Sequence, residues 1–335
     1  MRVLVLSHED VRETLTPAAC LEAMAEVLAA LARGEAYMPL RSVMRAPGAA
    51  GLMGLMPAWR GDGGDGSTKP AGAIFALKAI CLMPENPARG LDAHQGVVIL
   101  YDGESGQPTS IVDASAITAI RTAAVTALAT RVLAREDART LAIIGAGVQA
   151  AAHLEALLPV REFEAVRVYA PTVSHVRSLI ESAGGAADIS AAASAEEAVR
   201  GADVVVTVTS SREPVLRCEW LAPGTHVNAV GASTPAWREL DVETVAAAAL
   251  FADSRESLRH EAGEYRLALE QGAIAGEGHV RAELGEVLAG LRPGRADDDE
   301  LTLFRSLGLA VEDLAAAQVA VANARRLGRG TEVEL

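Results

Sequence analysis

The rhythm of apolar and polar positions changes twice along this chain. Arg2–Leu6 is a short alternating run that predicts a strand. A helix should follow. Thr16 can cap it, Pro17 suits its first position, and Leu21, Met24, Leu28 and Leu31 mark one face before Gly34 closes it. Residues 37–118 then read as β-rich. Short apolar runs at Gly51–Met56, Ala73–Leu82, Gly96–Tyr101 and Thr109–Asp113 are separated by turn clusters such as Asp102-Gly-Glu-Ser-Gly106. The glycine-rich stretch Gly61–Lys69 reads as a mobile surface loop in which Lys69 is solvated.

Near residue 117 the period lengthens. Ile117–Ala134 is alanine-rich with helical spacing. Beyond Thr140, strand and helix patterns alternate. Strands are expected at Leu141–Ile144, Val166–Tyr169, Asp203–Thr209, His226–Val230 and Ala249–Asp253, and helices at Gln149–Leu158 and Ala195–Arg200, among others. Alternating βα units predict an α/β fold with a doubly wound parallel sheet. After the acidic run Asp297–Glu300, Leu301–Leu327 reads as a strand followed by a long terminal helix.

Composition narrows the class. With 335 residues the chain can bury a large core. Aromatic residues make up only 3%, so that core must be built from Ala, Val, Leu and Ile. Thirty basic against 44 acidic residues give a net charge of −14, which argues against nucleic acid as a partner. Cys20, Cys81 and Cys218 lack the spacing of a zinc ribbon or dithiol motif, and no disulfide framework is implied. The seven histidines show no H-E-x-x-H spacing, so no metal is expected. No apolar run reaches the ~20 residues of a membrane span, and the N-terminal apolar stretch is too short for a signal peptide. The expectation is a soluble, cytoplasmic protein with no membrane partner.

The sharpest motif is Leu141-Ala-Ile-Ile-Gly-Ala-Gly-Val-Gln-Ala150, a G-x-G-x-x-A fingerprint between a strand and a helix. Gly145 permits the tight turn, Gly147 lets a pyrophosphate approach the backbone, and Ala150 keeps helix and strand close. The free amides at the helix start would face the phosphates. The end of the next strand reads Val168-Tyr-Ala-Pro-Thr172, without the acid that usually holds the ribose 2′-hydroxyl of NAD. Thr172, Ser174 or Arg177 could contact a 2′-phosphate, so NADP(H) is favoured, with NAD(H) as the alternative.

Charged residues in apolar settings are the next candidates. Only two of the 30 basic residues are lysines, and Lys78 sits inside Ile74-Phe-Ala-Leu-Lys-Ala-Ile-Cys-Leu82. In a strand it shares a face with Ala76 and Ile80, where an ammonium needs a partner or a polar cavity. An ammonium aimed into a substrate pocket fits better than an edge lysine reaching solvent. Arg121 opens an otherwise charge-free helix, and its fork suits a carboxylate or phosphate, with a salt bridge between domains as the plainer reading. Arg41 is a weaker candidate on its residues alone. His226 reads as a packed core histidine. His94 could face the pocket, although a structural role fits slightly better.

Together these segments resemble the ornithine cyclodeaminase/mu-crystallin family over nearly the whole chain. Those that carry the likeness are Gly54-Leu-Met-Pro-Ala58, Ile117-Thr-Ala-Ile-Arg-Thr-Ala-Ala124, the fingerprint, Gly201-Ala-Asp-Val-Val-Val-Thr-Val-Thr209 and Gly224-Thr-His-Val-Asn-Ala-Val-Gly-Ala232. Gly231–Asp241, Ala282–Val287 and Phe304–Asp313 look like the mu-crystallin, or ketimine reductase, branch. The resemblance implies a homodimer in which a Rossmann domain, residues 119–302, is inserted into a β-rich α+β domain, residues 1–118 plus 303–335. The latter would bind substrate and dimerise, with the active site in the cleft.

By the same resemblance Lys78, Arg121 and Arg41 match pocket residues that would clamp a substrate carboxylate, and Met56 and His94 would line the pocket. Thr122, Gly145, Gly147, Val148, Gln149, Thr172, Thr209 and Val230 would hold the cofactor. Cyclodeaminases carry an aspartate where this chain has Ser233, and serine is no general base at neutral pH without an activating partner. Ornithine cyclisation is therefore disfavoured, and Lys78 and Ser233 stand as the catalytic candidates. The family's positively charged position after the second strand is Pro171 here, which weakens the preference for NADP(H).

The expected activity is NAD(P)H-dependent reduction of a small cyclic imino acid, 1-pyrroline-2-carboxylate or 1-piperideine-2-carboxylate, to proline or pipecolate. The alternatives are an alanine-type amino-acid dehydrogenase, an ornithine cyclodeaminase, and a ligand-binding protein without turnover.

Overall fold

The computed structural model of the chain describes residues 1–61, 72–185 and 187–335. All but the first residue of the expected loop Gly61–Lys69, Lys69 included, lies outside the described residues. The chain divides into two compact units, residues 1–121 with 308–335, and residues 122–307.

The first unit is built on a mainly antiparallel sheet. Its strand order is Thr331–Glu334, Arg2–Leu6, Pro108–Asp113, His94–Asp102, Ile74–Leu82, Leu52–Arg60 and Ala36–Tyr37, with Ser42–Met44 also paired to Leu52–Arg60. Among the described strands of this sheet, only Arg2–Leu6 and Pro108–Asp113 run parallel. Alternation along the strands sorts their side chains. Met56, Ala58, Ala76, Ile80, Val98 and Leu100 are buried. The helices Pro17–Ala32 and Ala310–Leu327 pack together, and the latter lies against the strands of this sheet. Thr16 caps the first of these helices through Ala19 N, and Pro17 takes its first position, as the sequence predicts. A further helix, His8–Thr14, precedes it, held by a capping box between Ser7 and Asp10.

The opposite parity of the central strands puts apolar groups on the other face. Leu55, Phe75, Leu77, Ile99 and Tyr101 share it by register, and Leu55 and Phe75 are exposed. A face this apolar left in water is the kind of surface that partners cover.

The second unit is a doubly wound α/β sheet of eight strands. Their order is Ile189–Ala191, Ala165–Tyr169, Thr140–Ile144, Val204–Thr207, His226–Ala229, Thr302–Arg305, Ala249–Ala252 and Val280–Glu283, and every neighbouring pair is parallel. Buried Val, Leu, Ala and Ile fill its centre, as the scarcity of aromatics requires. His226 is fully buried between Thr302 Oγ1 at 2.9 Å and Asn228 Oδ1 at 3.2 Å, a packed core histidine. Thr302–Arg305 pairs on both sides inside this sheet, so the second boundary lies at 307/308, beyond the sequence-based 302/303. The first lies at 121/122 rather than 118/119, within the helix Ala114–Leu133.

That helix corrects one expectation. It has 20 residues and is long and apolar enough to cross a membrane by length and composition. Most of it is buried inside the protein, which accounts for its apolar run through packing.

Candidate active site

Three of the singled-out cations meet in the first unit. They arrive from separate segments, and all three bond to one short stretch, Gly308–Asp313, that opens the terminal helix. Lys78 lies mid-strand, directly between Met56 and Val98 on the neighbouring strands, and is 2% exposed. Its ammonium donates to Asp313 Oδ1 at 2.9 Å and to Thr118 Oγ1 at 2.7 Å. The Thr118 hydroxyl itself donates to Ala114 O at 2.6 Å, which leaves its lone pairs for Lys78. Arg121 donates through Nε to the same Asp313 Oδ1 at 3.0 Å, and through Nη1 to Glu312 Oε2 at 2.9 Å. Arg41 donates through Nη2 to Gly308 O at 2.8 Å.

Gly308 is where only glycine works. Its φ is +80°, and a Cβ there would stand 2.7 Å from Arg121 Nη1. Glu312 and Asp313 lie in the first turn of the terminal helix, where the positive end of the helix dipole favours carboxylates.

Burial sets the protonation chemistry of the group. It pulls the Lys78 ammonium down to about 8, with Asp313 holding it up and Arg121 pressing it further down. Asp313 is as deeply buried, which opposes its charge, yet Lys78 and Arg121 keep its carboxyl below the usual carboxylate range. Cys20, buried nearby, has its thiol pushed up to about 12 and is inert as a nucleophile. Positive charge predominates among these five groups, as suits an anionic ligand.

Met56 is buried beside Lys78 on the ladder. His94, at the start of its strand opposite Leu82, keeps part of its surface in solvent and makes none of the cluster's hydrogen bonds, yet burial and the nearby charges of Lys78 and Arg121 push its imidazole down to about 4. The sequence reading missed Thr118, Glu312 and Asp313. The signal was present in two adjacent acids at the start of an apolar helix, but acids there are common for dipole reasons alone.

The second unit carries the dinucleotide elements. Gly145 ends its strand at φ +127°, and a Cβ there would lie 2.5 Å from Val208 O. Gly147 is the N-cap of the helix Val148–Leu157, with no side-chain cap. A Cβ built on Gly147 meets nothing within 4 Å, and Val148 is 63% exposed, so the leading amides of this helix open onto space. Gln149 is partly buried and Ala150 fully so, tight against the sheet. These features fit a pyrophosphate. Thr172 is the exposed N-cap of Val173–Ser182, again without a side-chain cap bond. Thr122 and Val230 are buried, and Thr209 and Ser233 are partly buried in loops after their strands. Gly145, Gly147, Thr172, Thr209 and Val230 thus follow the ends of strands of one sheet, Val148 and Gln149 open a helix and Thr122 lies within the helix Ala114–Leu133, while Lys78, Arg121 and Arg41 form the other group.

The ornithine cyclodeaminase/mu-crystallin family model matches residues 1–327. A ketimine reductase mu-crystallin of Mus musculus is 38% identical over 320 residues, covering 94% of this chain and 95% of its own. The solved structure of Thermococcus litoralis Δ1-pyrroline-2-carboxylate reductase in complex with NADH and L-proline is 34% identical, with a TM-score of 0.93 over 99% of this chain and 100% of that one. An archaeal alanine dehydrogenase dimer with bound NAD is also 34% identical, with a TM-score of 0.91 over all of both chains. The chain therefore belongs to the ornithine cyclodeaminase/mu-crystallin family.

Proposed function

We propose that the chain is an NAD(P)H-dependent oxidoreductase acting on CH–NH bonds, and specifically a reductase of cyclic ketimine carboxylates such as 1-pyrroline-2-carboxylate and 1-piperideine-2-carboxylate. The observation that carries this is the convergence of Arg41, Lys78 and Arg121 on Gly308–Asp313. Two buried cations and the partly buried Arg41 brought to one short stretch suit the binding of a carboxylate, which a cyclic imino acid supplies. Lys78, held near neutrality by burial, can carry the proton at the imine nitrogen or complete the clamp. The nicotinamide, when bound, supplies the hydride that reduces the imine carbon. A protonated imine is already a good acceptor, so the protein's task is to hold the ring and exclude water. Ser233 offers a hydroxyl to substrate or water and has no carboxylate with which to deprotonate an amine, which disfavours ornithine cyclisation.

The absence of an acid in Tyr169–Thr172 favours NADPH. The two solved relatives carry NADH and NAD, so the ratio of kcat/KM with the two cofactors decides the preference. We also infer a homodimer formed through the first unit. Its exposed apolar sheet face, with Leu55 and Phe75, supports this, and light scattering on the wild type and on Phe75→Glu tests it.

Alanine-type dehydrogenase activity is the second reading, favoured by the full-length likeness to the archaeal enzyme. One panel separates the readings: cyclic imines, keto acids with ammonia, and ornithine, each assayed with NADH and NADPH. Turnover of a cyclic imine without ammonia supports the reductase. Strict dependence on ammonia with a keto acid supports the dehydrogenase and sinks the reductase. Binding of cofactor and imine without turnover reduces the protein to a ligand carrier.

A further inference from the structure

Glu239 is a buried carboxylate, 1% exposed, that the chemistry above leaves unused. It sits where the strands Val204–Thr207 and His226–Ala229 run out at their C-terminal ends. The ladder stops there, and the amides of the residues that follow need acceptors. This one side chain accepts from three of them, Gly231 N also reaching Thr207 O at 3.2 Å. Oε1 accepts from Thr209 N at 2.6 Å, and Oε2 accepts from Gly231 N at 2.6 Å, Ala232 N at 3.3 Å and Thr207 Oγ1 at 3.0 Å. Its backbone is fixed as well, because Glu239 O accepts from Val215 N at 2.8 Å and Leu216 N at 3.0 Å. Gly231 fits because it has no side chain, since a Cβ there would overlap the Thr209 backbone and stand 2.6 Å from Glu239 Oε1.

In open parallel sheets the ligand lies outside the C-terminal ends of the strands. The two segments tied to Glu239 hold Thr209, Val230 and Ser233, three residues assigned above to cofactor or substrate. Burying a carboxylate is costly, and four donors drawn from two neighbouring strand ends offset part of that cost, although burial still holds the carboxyl above its usual range. We infer that Glu239 is a positioning residue, which fixes the spacing of the 207–209 and 230–233 segments and so shapes the surface that receives the nicotinamide. This rests on the proposed dinucleotide reading.

The test uses the full chain. NADH and NADPH binding is followed by fluorescence titration, and KM values for dinucleotide and imine are measured separately, for wild type and Glu239→Gln. The glutamine keeps the shape but turns amide hydrogens toward backbone donors. Dinucleotide affinity should fall by about tenfold or more, while the KM for the imine, which depends on these segments through Ser233 alone, rises by a clearly smaller factor. If Glu239→Gln fails to fold, Thr207→Val removes a single donor and should shift dinucleotide affinity in the same direction by a smaller factor. Unchanged dinucleotide affinity, or equal losses for dinucleotide and imine with a lowered Tm, would overturn the inference and leave the dinucleotide reading standing. If the wild-type chain binds neither dinucleotide, that reading falls and the inference falls with it.

Discussion

The two units build their sites in opposite ways. The fingerprint in the second unit occupies ten consecutive residues, Leu141–Ala150, and acts through the backbone: one forced turn, one open approach and one row of amides. The cationic group in the first unit is assembled from residues near 41, 78, 121 and 308–313, and acts through side chains, Lys78 and Arg121 held in buried ion pairs and Arg41 on the carbonyl of Gly308. A backbone site tolerates side-chain change so long as the turn survives and the approach to its amides stays open. A side-chain site depends on every member, because removing one partner leaves another buried charge without support.

The largest effect should come from Lys78. Lys78→Ala is expected to lower kcat/KM for a cyclic imine by about 100-fold, on the order of 3 kcal/mol of transition-state stabilisation. Turnover near that of the wild type would remove Lys78 from the chemistry. Arg121→Lys keeps the charge but loses the fork that spans Glu312 and Asp313. It should raise the KM for the imine by about tenfold or more with little change in dinucleotide KM. An unchanged imine KM would make Arg121 purely structural.

A gentler change reads the electrostatics. Lys78 titrates near 8 because burial lowers it while Asp313 opposes that fall. If the protonated lysine is the working form, kcat/KM declines as pH rises through about 8. Asp313→Asn removes the supporting charge, so burial acts with less opposition and the lysine loses its proton at lower pH. The alkaline limb of the kcat/KM profile should move to lower pH, by about one unit. A limb that stays in place would mean that Lys78 does not set it.

The same contrast explains what was legible in the sequence. Gly145, Gly147 and Ala150 could be read because their spacing is local and each glycine has a mechanical reason. Lys78 could be read because an ammonium between Ala76 and Ile80 violates the pattern of its own strand. Arg41 gained weight only through family resemblance, since nothing near it in sequence announces Gly308 O as its partner. Glu312 and Asp313 were hidden because first-turn acids are ordinary in helices, and their meaning comes from Arg121 on a helix 191 residues before Glu312 and from Lys78 on a strand 235 residues before Asp313. Glu239 was hidden as well, because all but one of its side-chain partners are backbone amides that bear no sequence mark. The strand Thr331–Glu334 exists by pairing with Arg2–Leu6 at the other end of the chain, which no local period foretells. The helix His8–Thr14 is a different case, because its capping box, Ser7 and Asp10, was open to reading.

The smallest expected effect separates the two glycines of the backbone site. Gly147 has φ −94° and nothing within 4 Å of an added Cβ. Gly147→Ala should therefore fold with an unchanged Tm, while its methyl intrudes where phosphate must approach and raises the dinucleotide KM by about fivefold or more. Gly145 has φ +127° and Val208 O at 2.5 Å from its Cβ position, so Gly145→Ala strains the turn itself. It should lower stability by more than about 1 kcal/mol as well as weakening dinucleotide binding. If both variants lost only affinity, or both lost only stability, the division of labour within the fingerprint would be wrong. If Gly147→Ala bound both dinucleotides as well as the wild type, the open space at that helix end would not be where the pyrophosphate sits.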